Sequence, residues 1–179
     1  MRDKRAQSSV GISFGMIFSI LIIIFLVAVA IYAIKTFLSV NKCAQTGLLY
    51  DRLQSEVDDA WRSGLVREEV GLDLPASGIR STSLTHLCFG KVDPNNVPAG
   101  LVDDERERYE KIAEVFGVEA AESNVFVYPP TAACGRSLAH YQIKHLAVPA
   151  GFFCKQIVDG KVVVNLEKET SSPVVLLKP

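Results

Sequence analysis

Apolar positions are distributed along the chain in three textures. From Ala6 to Ile34 no charged residue occurs for 29 positions, and from Val10 onward the run is apolar on every helical face, as in ILIIIFLVAVAIYAI. At a rise of ~1.5 Å per residue that run exceeds a hydrocarbon core of ~30 Å, so residues 10–34 are predicted to be a transmembrane helix. A domain of this size could not surround such a helix as its own core. Beyond Lys35 the pattern turns amphipathic: Leu49, Leu53, Val57 and Trp61 recur every four residues, with Asp51, Arg52, Glu56, Asp58 and Asp59 between them. No proline interrupts before Leu74. One helix of about 50 residues, roughly 75 Å long, is therefore expected, apolar first and amphipathic over residues 35–63.

After Gly64 the texture becomes mixed. VGLDLPASG reads as a connection, Ile79 to Phe89 as one or two strands, and Asp93 to Gly100 as a loop rich in turn residues. Asp103 is placed to cap a short helix, DDERERYEKIAEVFG. Acids open that helix, Asp104 with Arg108 and Glu107 with Lys111 are candidate pairs, and Gly117 closes it. NVFVY, SLAHYQIKHLAV and SPVVLLKP read as extended runs, and Asp159-Gly160 suits a type I′ hairpin turn between FFCKQIV and KVVVNLE. The expected fold class is α+β: a long N-terminal helix packed on a small antiparallel sheet head, residues 64–179, with one short helix.

Charge adds direction. Arg2, Lys4 and Arg5 crowd one end of the apolar run, while Lys35, Lys42 and Arg52 are spread along the other. Residues 1–9 are thus expected to be a cytoplasmic basic leader and the head to be extracytoplasmic, in a single-pass protein of the cell membrane with the bilayer as its first partner. A cleaved secretory signal is disfavoured. Its apolar region would span ~7 to 15 residues, and Ala28-Val29-Ala30 lies inside this run with no polar region before it. Residues 41–179 carry 15 Lys plus Arg against 19 Asp plus Glu, which argues against nucleic acid as a partner.

Cys43, Cys88, Cys134 and Cys154 all fall on the outer side, where four cysteines imply two disulfides with three connectivities. Pairing Cys43 with Cys88 and Cys134 with Cys154 closes the shorter loops and is preferred. No catalytic constellation is visible. GxSxG, GxxxxGK[ST] and HExxH are absent, as is any Asn-x-Ser/Thr, and no cofactor or metal site is expected. His86 and Cys88 would share a strand face without further ligands at metal spacing, and His140 and His145 would lie on opposite faces.

Gln7, Gly11, Gly15 and Ser19 stand four apart, so Gly11, Gly15 and Ser19 make a small-residue stripe on which a second helix could pack closely in lipid. The whole segment, KRAQSSVGISFGMIFSILIIIF, resembles the class III signal of archaeal type IV pilin-like proteins: a basic leader, a small residue, then Gln opening an apolar helix. That resemblance implies cleavage between Ala6 and Gln7 by a prepilin peptidase, and a retained helix able to bundle. It also implies a long helix under a β-containing head. The sequence departs from the pattern at Gly11, the fifth mature position, where many such pilins carry Glu. Downstream, LCFG, VFVYPP and the final hairpin resemble uncharacterised membrane-anchored archaeal proteins, which imply no activity. Two readings follow: a pilin-like or minor-pilin-like assembly subunit that self-associates through its helix, or a single-pass anchor whose extracytoplasmic module binds an unknown protein or ligand.

Overall fold

The computed structural model describes residues 14–63, 68–73, 84–133, 135–169 and 172–179, with the side chains of residues 14, 39, 41–43, 45 and 68 outside that description. Helix α1 runs Phe14–Ser63, 50 residues, as the uninterrupted pattern predicts. The chain divides into two compact units, Met1–Leu38 and Ser39–Pro179.

In the first unit every described side chain from Gly15 to Leu38 is exposed. This stretch of 24 residues is long and apolar enough to cross a membrane. Its serine and threonine hydroxyls turn inward to the helix's own backbone: Ser19 donates to the Gly15 carbonyl at 2.8 Å and Thr36 to that of Tyr32 at 3.0 Å.

The second unit is α+β. Its part of α1 buries Leu49, Leu53, Val57 and Ala60, each at most 2% exposed. The predicted stripe thus holds for three of its four members. At the fourth, Ala60 takes the buried position, and Trp61 stands 39% exposed. Eight strands follow among the described residues. They are β1 (Glu68–Asp73), β2 (His86–Gly90), β3 (Val125–Tyr128), β4 (His140–Tyr141), β5 (Leu146–Ala147), β6 (Phe152–Gln156), β7 (Lys161–Glu167) and β8 (Val175–Lys178). Helix α2, Asp103–Phe116, lies between β2 and β3.

These strands make two four-stranded sheets rather than one. The first has the order β1-β7-β8-β5, antiparallel except for the parallel pair of β5 with β8, and the second has the order β4-β3-β2-β6. Burial in the first sheet alternates with period two: Val162, Val164 and Leu166 of β7 and Val70 and Leu72 of β1 point inward, while Lys161 and Val163 face out. The central strands of the second sheet are buried on both faces, with Leu87, Cys88, Phe89, Val125, Phe126 and Val127 all at 0% exposure. Helix α2 supplies one cover through Tyr109, Ile112 and Phe116. A single hydrophobic cluster runs from Leu49 to Leu177, so α1 and both sheets share one core.

The structure corrects three local expectations. VGLD is part of strand β1, because Val70 and Leu72 find partners in β7 and Gly71 pairs with Val163; Pro75 and Gly78 lie outside the described residues. The Asp159-Gly160 turn has the expected positive φ at both residues, 50° and 74°, and Val158 and Lys161 bond across it. Its flanking strands do not form a hairpin, however, since β6 stays in the second sheet and β7 crosses to the first. Third, SLAHYQIKHLAV is not one strand. It breaks into a 3-10 turn at Arg136–Leu138, the short β4, and a tight turn at 142–145 before β5. His140 and His145 therefore belong to different elements.

Around α2 the sequence reading is close. Asp103 is the first helical residue rather than the cap, a place held by Val102 without a side-chain bond. Arg108 meets Asp104 at 3.8 Å, Lys111 pairs with Glu114 instead of Glu107, and Gly117 ends the helix at φ 54°.

Candidate functional site

The predicted site residues separate. Ala6, Gln7, Gly11 and Cys134, and the side chain of Cys43, lie outside the described residues. Gly15 and Ser19 sit one turn apart on the exposed first unit. Cys88 and Cys154 stand directly opposite each other on β2 and β6 and form a disulfide. This overturns the expected pairing of Cys88 with Cys43 and of Cys154 with Cys134. The shorter-loop argument fails because antiparallel register, not loop length, brought the two Cβ atoms together.

His86 shares that strand with Cys88, but its Nδ1 lies 2.9 Å from the Thr85 hydroxyl and its ring meets Tyr128 edge-on. Among the described residues no group of three His, Cys, Asp or Glu is placed to hold a metal ion. Ser123 and His140 do meet, Oγ to Nδ1 at 2.8 Å, with His140 edge-on to Phe116. Ser123 is only 4% exposed, and among the described residues no carboxylate bonds the other ring nitrogen. The pair thus lacks the orienting acid and the access that an activated serine needs.

Burial, the chief cause at both, holds the His86 and His140 imidazoles below their ordinary value. Arg108 adds to the effect at His86 and Asp104 opposes it, while at His140 Glu119 opposes and Arg136 adds. The unfolded chain therefore takes up protons first as pH falls below about 6.5. Stability contributed by the neutral rings is complete above that pH and is lost as pH drops through the folded values. Denaturant midpoints at pH 7.5, 6 and 5 should fall with acidification, and the His86→Gln/His140→Gln double variant should show a flatter profile. An equal slope in both proteins would assign the acid sensitivity to carboxylates instead.

The most elaborate construction lies around the turn at 142–145, which sequence patterning did not single out. Asn124, 4% exposed, donates from Nδ2 to the carbonyls of Ile143 (2.9 Å) and Leu146 (3.2 Å) and accepts from the Ile143 amide (2.7 Å). One buried side chain thereby satisfies three backbone groups of an irregular segment. From the other side α1 presents Gln54, Asp58 and Trp61, spaced to share one face. Gln54 accepts from the Lys144 amide at 2.8 Å, and Asp58 Oδ1 lies 3.4 Å from His145 Nδ1. Trp61 stacks on the His145 ring with centroids 4.2 Å apart and planes within 5°, and its indole N–H donates to the Pro173 carbonyl. His145 itself has φ 61°, an uncommon conformation for a residue other than glycine, and its carbonyl accepts from Val175 at the start of β8.

Beneath this turn is a cleft of about 640 Å³. Ile143, Leu146, Ala147, Val148 and Val174 give it an apolar wall, and Lys91, Asn124, Gln142 and His145 its polar groups. Gly90, at φ 126°, and Gly151 meet on its opposite side, where a Cβ on Gly90 would run into the Gly151 carbonyl oxygen. No signal short of the tertiary structure marks the site, because its parts come from α1, the end of β2, the residue before β3 and the 142–151 segment, and a positive φ at histidine has no sequence signature.

The chain matches no protein-family model, no curated protein and no solved structure.

Proposed function

We propose that this protein is a membrane-anchored assembly subunit of the cell surface, pilin-like or minor-pilin-like, with its N-terminus in the cytoplasm and residues 39–179 outside. The observation that carries the reading is α1 itself: a stretch of 24 residues, Gly15–Leu38, exposed throughout and long and apolar enough to cross a membrane, in the same helix whose later turns are buried through Leu49, Leu53 and Val57. In lipid, an all-round apolar helix with small residues on one side associates by close van der Waals packing. The Ala6-Gln7 junction and the Gly11, Gly15 and Ser19 stripe support it from the sequence. The Cys88–Cys154 disulfide suits an oxidising compartment.

A plain single-pass anchor bearing a binding module is the second reading, and the cleft beneath His145 favours it. Intact mass and terminal sequencing of protein extracted from its native membranes, together with crosslinking in detergent, distinguish the two. The assembly reading expects a start at Gln7 and oligomers that Gly15→Leu weakens. A start at Met1 or Arg2, with no crosslinked species, would leave the anchor alone.

A further inference from the structure

We propose that the cleft beneath the 142–145 turn is a binding site for a small apolar carboxylate, with Lys91 and His145 receiving the carboxylate and the wall from Ile143 to Val148 receiving the hydrocarbon body. The inference concerns the second unit alone and stands or falls independently of how the protein assembles.

Size is the first argument. A cleft of about 640 Å³ lies within the range of ~300 to 1,000 Å³ that small-molecule sites occupy, with the usual division into an apolar wall and a few polar groups. Charge selects the class of ligand. Residues 39–179 carry 19 acidic against 15 basic side chains, yet among the described residues no Asp or Glu lines this cleft, whereas Lys91 and His145 do. A cationic ligand would meet an ammonium and no carboxylate. A phosphate would find no arginine fork, and an uncharged ligand would leave the reversal of sign without use. One ammonium and one imidazole suit one carboxylate.

Rigidity is the third argument. The wall is held by Asn124, which immediately precedes β3, by Gln54 from α1 and by the bond from Val175 to the His145 carbonyl, so the amides of Ile143 and Lys144 and the carbonyls of Ile143, His145 and Leu146 are already paired and do not compete for the ligand. Binding then orders little that was free, which raises affinity for a given contact area. Asp58 Oδ1 lies 3.4 Å from His145 Nδ1 on the α1 side, and among the described residues no hydrogen bond engages Nε2, the nitrogen assigned to the ligand. Among the described residues no other ion pair involves the ring, which stacks on the indole of Trp61.

Trp61 is the sole tryptophan of the chain and stacks on His145, so it reports on the site. The test uses the full chain in non-ionic detergent micelles, with 4-phenylbutyrate as the probe and 4-phenylbutanol as its uncharged counterpart. Calorimetry and Trp61 emission are both read against empty micelles. The acid should bind saturably and change Trp61 emission along the same isotherm, while the alcohol binds at least about tenfold more weakly. Lys91→Met should cost the acid about tenfold and leave the alcohol unchanged. Ala147→Leu, which fills the cleft, should weaken both. Lys91 is exposed, so its variant keeps the fold and the test stands even if Ala147→Leu does not express. The proposal is overturned if the acid shows no saturable binding, if acid and alcohol bind alike, if Lys91→Met changes nothing, or if binding heat appears without a change at Trp61.

Discussion

Replacing Cys88 and Cys154 together by alanine should lower the unfolding free energy of the second unit by about 4 kcal/mol, the largest loss expected from any two substitutions of comparable size in this fold. The bond closes a loop with a sequence separation of 66, and its main effect is to deny the unfolded chain the many conformations in which β2 and β6 are far apart. In the folded protein both strands keep their ladder, because Leu87 with Lys155 and Phe89 with Phe153 pair on either side of the bridge. The variant should therefore unfold at much lower denaturant while its far-ultraviolet dichroism stays the same. Urea titrations of the wild type with and without reductant, beside the double variant, measure the effect. A loss below about 1 kcal/mol would mean that the reduced unfolded chain already holds these strands together.

The second large effect concerns Gly15–Leu38. Fifteen Ile, Leu, Phe and Val residues in that stretch favour insertion by roughly 7 kcal/mol in all, whereas each central lysine costs about 3 kcal/mol. Ile24→Lys with Val27→Lys should therefore cancel nearly the whole driving force. Alkaline carbonate extraction of membranes is expected to leave the wild type in the pellet and to release the double variant. Retention of the variant would locate the attachment elsewhere in the chain.

Much of the fold was legible where one local rule acts alone. The 50-residue helix follows from the absence of Pro and the change from all-round to four-residue apolar spacing, and α2 from its acidic start and Gly117. Strands β3 and β8 follow from short β-branched and aromatic runs. What stayed hidden needed long-range information. Asp159-Gly160 encodes a turn but not the sheets to which its arms belong. Cys88 encodes a partner but not which one, since that depends on β2 and β6 becoming neighbours. The cleft was least legible of all: Asn124, Gln54 and His145 are unremarkable in their own segments, and they acquire a joint role only when α1 passes beside the 142–145 turn.

The order of strands in the first sheet also sets a timetable. Strand β1 lies at its edge beside β7, with Val70 facing Val164, so the earliest strand of the chain must wait for one of the last before it has a partner. Tyr50 on α1 likewise donates to the Leu138 carbonyl, 88 residues further along. A chain synthesised from its N-terminus would thus hold its apolar stripe and β1 unsatisfied through most of elongation, and the first sheet would close in a single late event once β7 and β8 had emerged. Over that interval the unfinished chain is a natural client for whatever shields nascent hydrophobic segments.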